Sequence, residues 1–158
     1  MSAPARPELL AIFLNDHLAG ATGGVEIAKR AERSNAGGEF SGPLTELRAE
    51  IEADRTTLLS LMHELGVARS RLKPPLAALG ERLARLKPNG QLRGYSPLSR
   101  VIELESLVVG ITGKLRLWIL CRELVGERSD LDFDALAARA ERQRERAERL
   151  QLRAGALL

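Results

Sequence analysis

SPLSRVIELESLVVGITGKLRLWILCRELV, residues 96–125, is the stretch whose reading decides the fold. Ser96 is a good N-cap and Pro97 suits a first helical position. Val101, Ile102, Leu104, Leu107, Val108, Val109, Ile111, Leu115, Trp118, Ile119 and Leu120 then follow with helical rather than alternating spacing. The run reads as one long helix, apolar over more than half its circumference, and such a helix needs other helices around it. Glu105 stands in the middle of its most apolar stripe. Glu103, Glu105, Lys114 and Arg116 interrupt the run, so it does not read as a membrane span.

Working outward, the same design recurs: one polar or charged group in an otherwise apolar stripe. A first helix over about residues 7–33 carries Leu10, Leu14 beside Phe13, His17, Ala21, Gly24 beside Val25, Ala28 and Ala31 at spacings of three and four. Gly20, Gly23 and Gly24 cost about 1 kcal/mol each in a helix interior relative to alanine. Their presence predicts a close approach by another group, with Trp118 the obvious bulky candidate. Gly37-Gly38 ends this helix, and a second covers about 43–65, closed by Gly66. Its stripe of Leu44, Leu47, Ile51, Asp54, Leu58, Leu61 and Leu65 is nearly a strict heptad with Asp54 at its centre and Arg55 beside it. Pro74-Pro75 and Pro88-Asn89-Gly90 bracket a short helix at about 76–86. The last helix, about 133–152, presents Phe133, Leu136, Ala140, Arg144 with Gln143, Ala147 and Leu150.

The sequence is 44% hydrophobic and 28% charged, with only 3% aromatic residues, which fits one all-α domain over residues 1–158 with an aliphatic core. Short connections pair the first two and the last two long helices as antiparallel hairpins. The segment 67–95 is long enough to traverse the bundle, which predicts that the second and third long helices run parallel. Cys121 is the only cysteine, so no intrachain disulfide can form, and the first seven residues lack the pattern of a signal peptide; a cytoplasmic location is expected.

Leu14-Asn-Asp-His-Leu-Ala-Gly20 with Glu26, Glu50-Ile-Glu-Ala-Asp-Arg55, and Ser96-Pro-Leu-Ser with Glu103-Leu-Glu105 resemble a group of uncharacterised bacterial proteins similar to ferritin-like four-helix bundles. The resemblance spans nearly the whole chain and implies a ferritin-like fold but no particular activity. Metal-binding ferritin-like proteins carry a Glu on each of two helices and Glu-x-x-His on each of the other two. This chain has no Glu-x-x-His; Glu52-x-x-Arg55 and Glu141-x-x-Arg144 put an arginine where the histidine would stand.

With the stripes aligned at mid-height, His17, Asp54, Arg55, Glu105, Gln143 and Arg144 are expected to form a buried polar cluster. Buried charges persist when paired, and guanidinium groups grip carboxylates with two hydrogen bonds. The leading expectation is therefore a non-catalytic structural or interaction protein, with an ion-pair network in place of a metal site and no cofactor. An alternative is a metal-binding protein or oxidoreductase holding a single Fe, Mn or Zn on His17, Asp54 and Glu105. A third is an anion or nucleic-acid site on residues 67–100, where eight basic residues, among them Arg69, Arg71, Lys73, Arg82, Arg85, Lys87 and Arg93, face Glu81 alone. The milder reading of that segment is a basic crossover lying on the acidic faces of the second helix, since only Tyr95 interleaves with its bases and stacking on single strands has little support. Leu59, Met62, Leu104, Ile111 and Trp118 lie outside the main stripes and predict a self-association face for a homodimer.

Overall fold

A computed structural model describes residues 6–70 and 95–158. Four long helices form within them: α1, Pro7–Ser34; α2, Ser41–Glu64; α3, Pro97–Val125; and α4, Phe133–Gly155, with a 3-10 turn at Gly126–Arg128 between the last two. The short helix expected at 76–86 lies outside the described residues. Among those residues there are no strands, and no helix is long and apolar enough to cross a membrane.

The helix ends follow the sequence chemistry. Asn35 closes α1 by donating its side-chain amide to the Ala31 carbonyl at 2.7 Å. Gly66, at φ +68°, lets the chain leave α2 in a left-handed turn, with Val67 N–H donating to the Met62 carbonyl at 2.8 Å. Ser96 and Asp132 cap α3 and α4 by accepting from Ser99 N–H and Ala135 N–H.

Cross-helix pairs fix the directions. Arg48 meets Glu32 and Arg55 meets Thr22, so α1 and α2 are antiparallel. Arg30 meets Glu103 and Asn35 meets Arg100, so α1 and α3 are antiparallel as well. Glu39 meets Arg153, Glu50 meets Arg146 and Asp54 meets Arg139, which makes α2 and α4 antiparallel. It follows that α2 and α3 run in the same direction, with the described ends of their connection, residues 65–70 and 95–96, at opposite ends of the bundle. Both ends of that connection are tied to α1: Asn15 bonds Ala68 and Ser70, and Asn35 donates to the Tyr95 hydroxyl.

The core is aliphatic, with Trp118 tilted against Phe133 at 6.4 Å between ring centres. A second cluster of Ala31, Phe40, Leu44, Leu104, Leu150 and Ala154 gathers residues from all four helices. The expected self-association face is corrected here: Met62, Leu104, Ile111 and Trp118 are buried in the core, and only Leu59 is half-buried. The acidic face of α2 and the turn before it are met by arginines of α4, because Glu46, Glu50 and Asp54 of α2 pair with Arg146 and Arg139, and Glu39 of the turn pairs with Arg153.

Candidate functional site

Two buried carboxylates organise the interior. Asp54, from the heptad of α2, is 2% exposed. Its Oδ1 accepts from Arg139, and its Oδ2 accepts from Lys114 Nζ and from Gln143 Nε2 at 2.9 Å. Lys114 also donates to the Gln143 Oε1. Lys114 and Gln143 extend the buried stripes of α3 and α4 at helical spacing, three residues after Ile111 and after Ala140. Burial pushes the Lys114 ammonium below its ordinary value, and the neighbouring Asp54 opposes that push. One carboxylate thus answers two cations, and every side-chain oxygen in the cluster has a donor.

The second carboxylate is Glu103, fully buried near the opposite end of α1. Tyr95 donates its hydroxyl to Oε2 at 2.6 Å, and Arg30 Nε lies 2.7 Å from Oε1. The Arg30 contact is an ion pair with poor hydrogen-bond alignment, since Oε1 receives no well-directed donor. Desolvation raises the Glu103 carboxyl, against the opposing pull of Tyr95, Arg30 and Arg100. Arg100 extends the network by donating to Asn35 at 2.6 Å while lying over the Phe40 ring at 4.7 Å. These contacts lock the start of α3 to the α1–α2 turn.

Bordered by Asp54 and Lys114, a cavity of about 440 Å³ opens among α1, α2 and α3. Its walls include Phe13, Ile51, Leu107, Leu117 and Trp118, and its polar groups include His17, Asp54, Arg55 and Lys114. The expected close approach to Gly20 and Gly24 is overturned: a Cβ built on either, or on Gly110 and Gly113 across the cavity, meets no described atom within 4 Å. The glycines border open space. His17 is half-buried with its ring edge-to-face with Phe13 at 4.6 Å. Burial holds its imidazole below the ordinary 6.5, with Asp16 pulling weakly the other way. The folded state therefore binds its proton less readily than the unfolded chain. Stability is full above pH 6.5 and falls as the pH drops through 6.5 towards the folded value. His17→Asn is expected to flatten that part of the stability profile; thermal melts across about pH 5 to 8 check this.

Of the expected cluster, the structure joins Asp54 and Gln143 and places the rest elsewhere. Glu105 is exposed, although Glu103 and Leu104 immediately before it are buried. Arg144 pairs with Glu141 and Glu148 along its own helix. Arg55 reaches Thr22, and His17 and Arg55 meet Asp54 only as fellow lining of the cavity. The metal set of His17, Asp54 and Glu105 is thereby taken apart, and among the described residues no three His, Cys, Asp or Glu side chains gather as a metal site. Lys114, Arg139, Glu103, Tyr95 and Arg30 supply the partners that were not anticipated. Of the basic residues in the expected anion patch, Arg69 is exposed; Arg71, Lys73, Arg82, Arg85, Lys87 and Arg93 lie outside the described residues. Cys121 is fully buried and its thiol is pushed up to about 12, which leaves no thiolate for nucleophilic chemistry.

No family model, curated protein or solved structure matches the chain.

Proposed function

We propose that this chain is a non-catalytic bundle of ferritin-like connectivity, with a structural or interaction role, in which an ion-pair network fills the position where such bundles hold metal. The observation that carries this reading is the saturation of Asp54 by Lys114, Arg139 and Gln143. A cation entering there would have to displace two resident cations from one carboxylate. The parallel run of α2 and α3 supports the ferritin-like assignment, because it needs the single long crossover of that architecture. The buried, unreactive Cys121 fits a reducing cytoplasm. A homodimer in this reading would use exposed apolar residues such as Leu120 and Leu124 on α3.

Elemental analysis of the purified chain, before and after incubation with Fe, Mn and Zn, tests the proposal. No retained metal and no shift in melting temperature are expected. Stoichiometric metal that is lost in Asp54→Asn would overturn it.

A further inference from the structure

The cavity is bordered by glycines where helices ordinarily carry side chains: Gly20 and Gly24 on α1, Gly110 and Gly113 on α3. A Cβ built at any of the four meets no described atom within 4 Å. The described helices therefore leave a groove between α1 and α3. Its lining is mixed in charge, because Asp16 and Asp54 stand in it together with His17, Arg55 and Lys114. Nothing in that set selects a small ion. The course of the chain says what lies there.

After α2 the chain is fastened to Asn15, which accepts from Ser70 N–H at 2.7 Å and donates to the Ala68 carbonyl at 3.1 Å. Before α3 it is fastened to Asn35, which donates to the Tyr95 hydroxyl. The two anchors are about 30 Å apart along α1, at 1.5 Å per residue. Fully extended, residues 71–94 reach about 80 Å, so the helix expected over 76–86, about 16 Å long, fits within the span. Helix α1 stands between the two ends of the connection. Glu32 meets Arg48 of α2, while Arg30, about 200° round the helix from Glu32, meets Glu103 of α3. The direct course therefore crosses α1 towards α3, and Gly20 and Gly24 lie between the two anchors.

The sequence of the segment suits the groove. Leu76, Leu79, Leu83 and Leu86 recur at spacings of three and four, which gives a helix over 76–86 one apolar face. Six basic residues of 71–94 accompany Glu81 alone. On α2, Glu46, Glu50, Glu52 and Asp54 are already paired. Asp16 in the groove lining and Glu105 on α3 are exposed and make no ion pair among the described residues. We propose that residues 71–94 of the same chain occupy the α1–α3 groove, with the leucine face of 76–86 seated over the glycines and the basic residues meeting the acids of α1 and α3. A second copy of the chain is the competing occupant, and it would have to share the groove with a connection already fastened to α1 at two points. The cavity is then a packing site for a fifth helix, whether or not the bundle holds metal.

Disulfide trapping in the full chain locates the segment. In a Cys121→Ala background, Gly20→Cys or Gly110→Cys is combined with Leu79→Cys or Leu83→Cys, and oxidation is followed on non-reducing gels. A bond needs Cβ atoms within about 4.5 Å of each other. At each glycine, one of the two leucine positions is expected to close within the chain at least about tenfold faster than it does with Thr56→Cys. Thr56 is exposed on α2 at the height of Thr22, next to the Arg55 that bonds Thr22. A second measurement needs no cysteine. Gly20→Leu combined with Gly110→Leu is expected to lower the melting temperature by at least about 3 °C, because the added side chains compete with the seated leucines. An empty groove would give the opposite sign, a rise of about 2–4 °C per glycine, since poor helix formers would be replaced in open space. No closure at either glycine, equal closure with Thr56→Cys, or a rise in melting temperature would each overturn the proposal. So would bonds that form only between chains, which would give the groove to a second copy. Metal analysis reads none of these results, so this proposal and the non-catalytic bundle stand or fall separately.

Discussion

Replacing Asp54 by alanine is expected to remove about 3–5 kcal/mol of folding stability, the usual cost of breaking a buried ion pair and leaving the partner charge behind. Lys114 and Arg139 both point their charge at this carboxylate from α3 and α4, and Lys114 is 14% exposed. Without Asp54 the two cations face each other across Gln143 in a medium that screens poorly. Native stabilities run to about 5–15 kcal/mol, so a loss of this size will show as a large fall in the urea midpoint. The companion variant is Lys114→Met. It leaves Asp54 with Arg139 and Gln143 and puts an apolar chain of similar length among apolar neighbours. Its cost should stay below about 3 kcal/mol, because burial already works against the Lys114 charge and the main loss is the donor to the buried Gln143 Oε1. The pH dependence separates the two further. A lysine whose folded pKa is lowered from 10.5 contributes stability that rises as pH climbs from the folded value towards 10.5. That rise should steepen in Asp54→Ala, where nothing opposes the lowering, and vanish in Lys114→Met. Equal losses in the two variants would mean that Lys114 is as needed as Asp54, and the picture of one anion shared by two cations would be wrong.

How far the interior can be read from the sequence depends on the contrast each helix offers. The stripe of α2 is legible: Leu44, Leu47, Ile51, Asp54, Leu58 and Leu61 are all buried, since the polar residues between them leave one choice of phase. On α4 the phase is also legible to within one residue. Arg144 and Gln143 were equal candidates beside Ala140 and Ala147, and the side chain that can be satisfied inside is the neutral amide, while the guanidinium finds Glu141 and Glu148 outside. The partners of Asp54 were available to the same reasoning, because Lys114 shares a stripe with Ile111 and Trp118, and Arg139 with Leu136 and Gln143. A charged side chain on a helix is ordinarily assigned to water, which leaves both outside a reading based on apolar stripes. The cavity is a different matter. Its glycines were visible, but a glycine says only that a side chain is missing; whether a neighbour or an empty volume takes its place depends on the distance between two helices, which no local pattern encodes.

The sharpest loss of legibility is the phase of α3, and it yields the second large effect. Leu104→Ala is expected to cost about 2–5 kcal/mol, while Glu105→Ala, one residue on, should change stability by no more than about 0.5 kcal/mol. Leu104 is fully buried against Ala31, Phe40, Leu44, Leu150 and Ala154, so its truncation opens a cavity where all four helices meet. Glu105 is exposed, on the same outer face as Val109 and Leu120, which are 58% and 41% exposed. Those two apolar residues are why the phase is hard to read: they make the outer face look like an interior, and they make Glu105 look buried. The inner face carries its own carboxylate, Glu103, which the outer leucine and valine conceal. Urea unfolding of the two variants measures the phase directly. A small loss in Leu104→Ala with a large one in Glu105→Ala would rotate α3 by more than a quarter turn. Glu103 would then face water, Glu105 would return to the interior, and the ion-pair account of that interior would have to be rebuilt around Asp54 and Glu105.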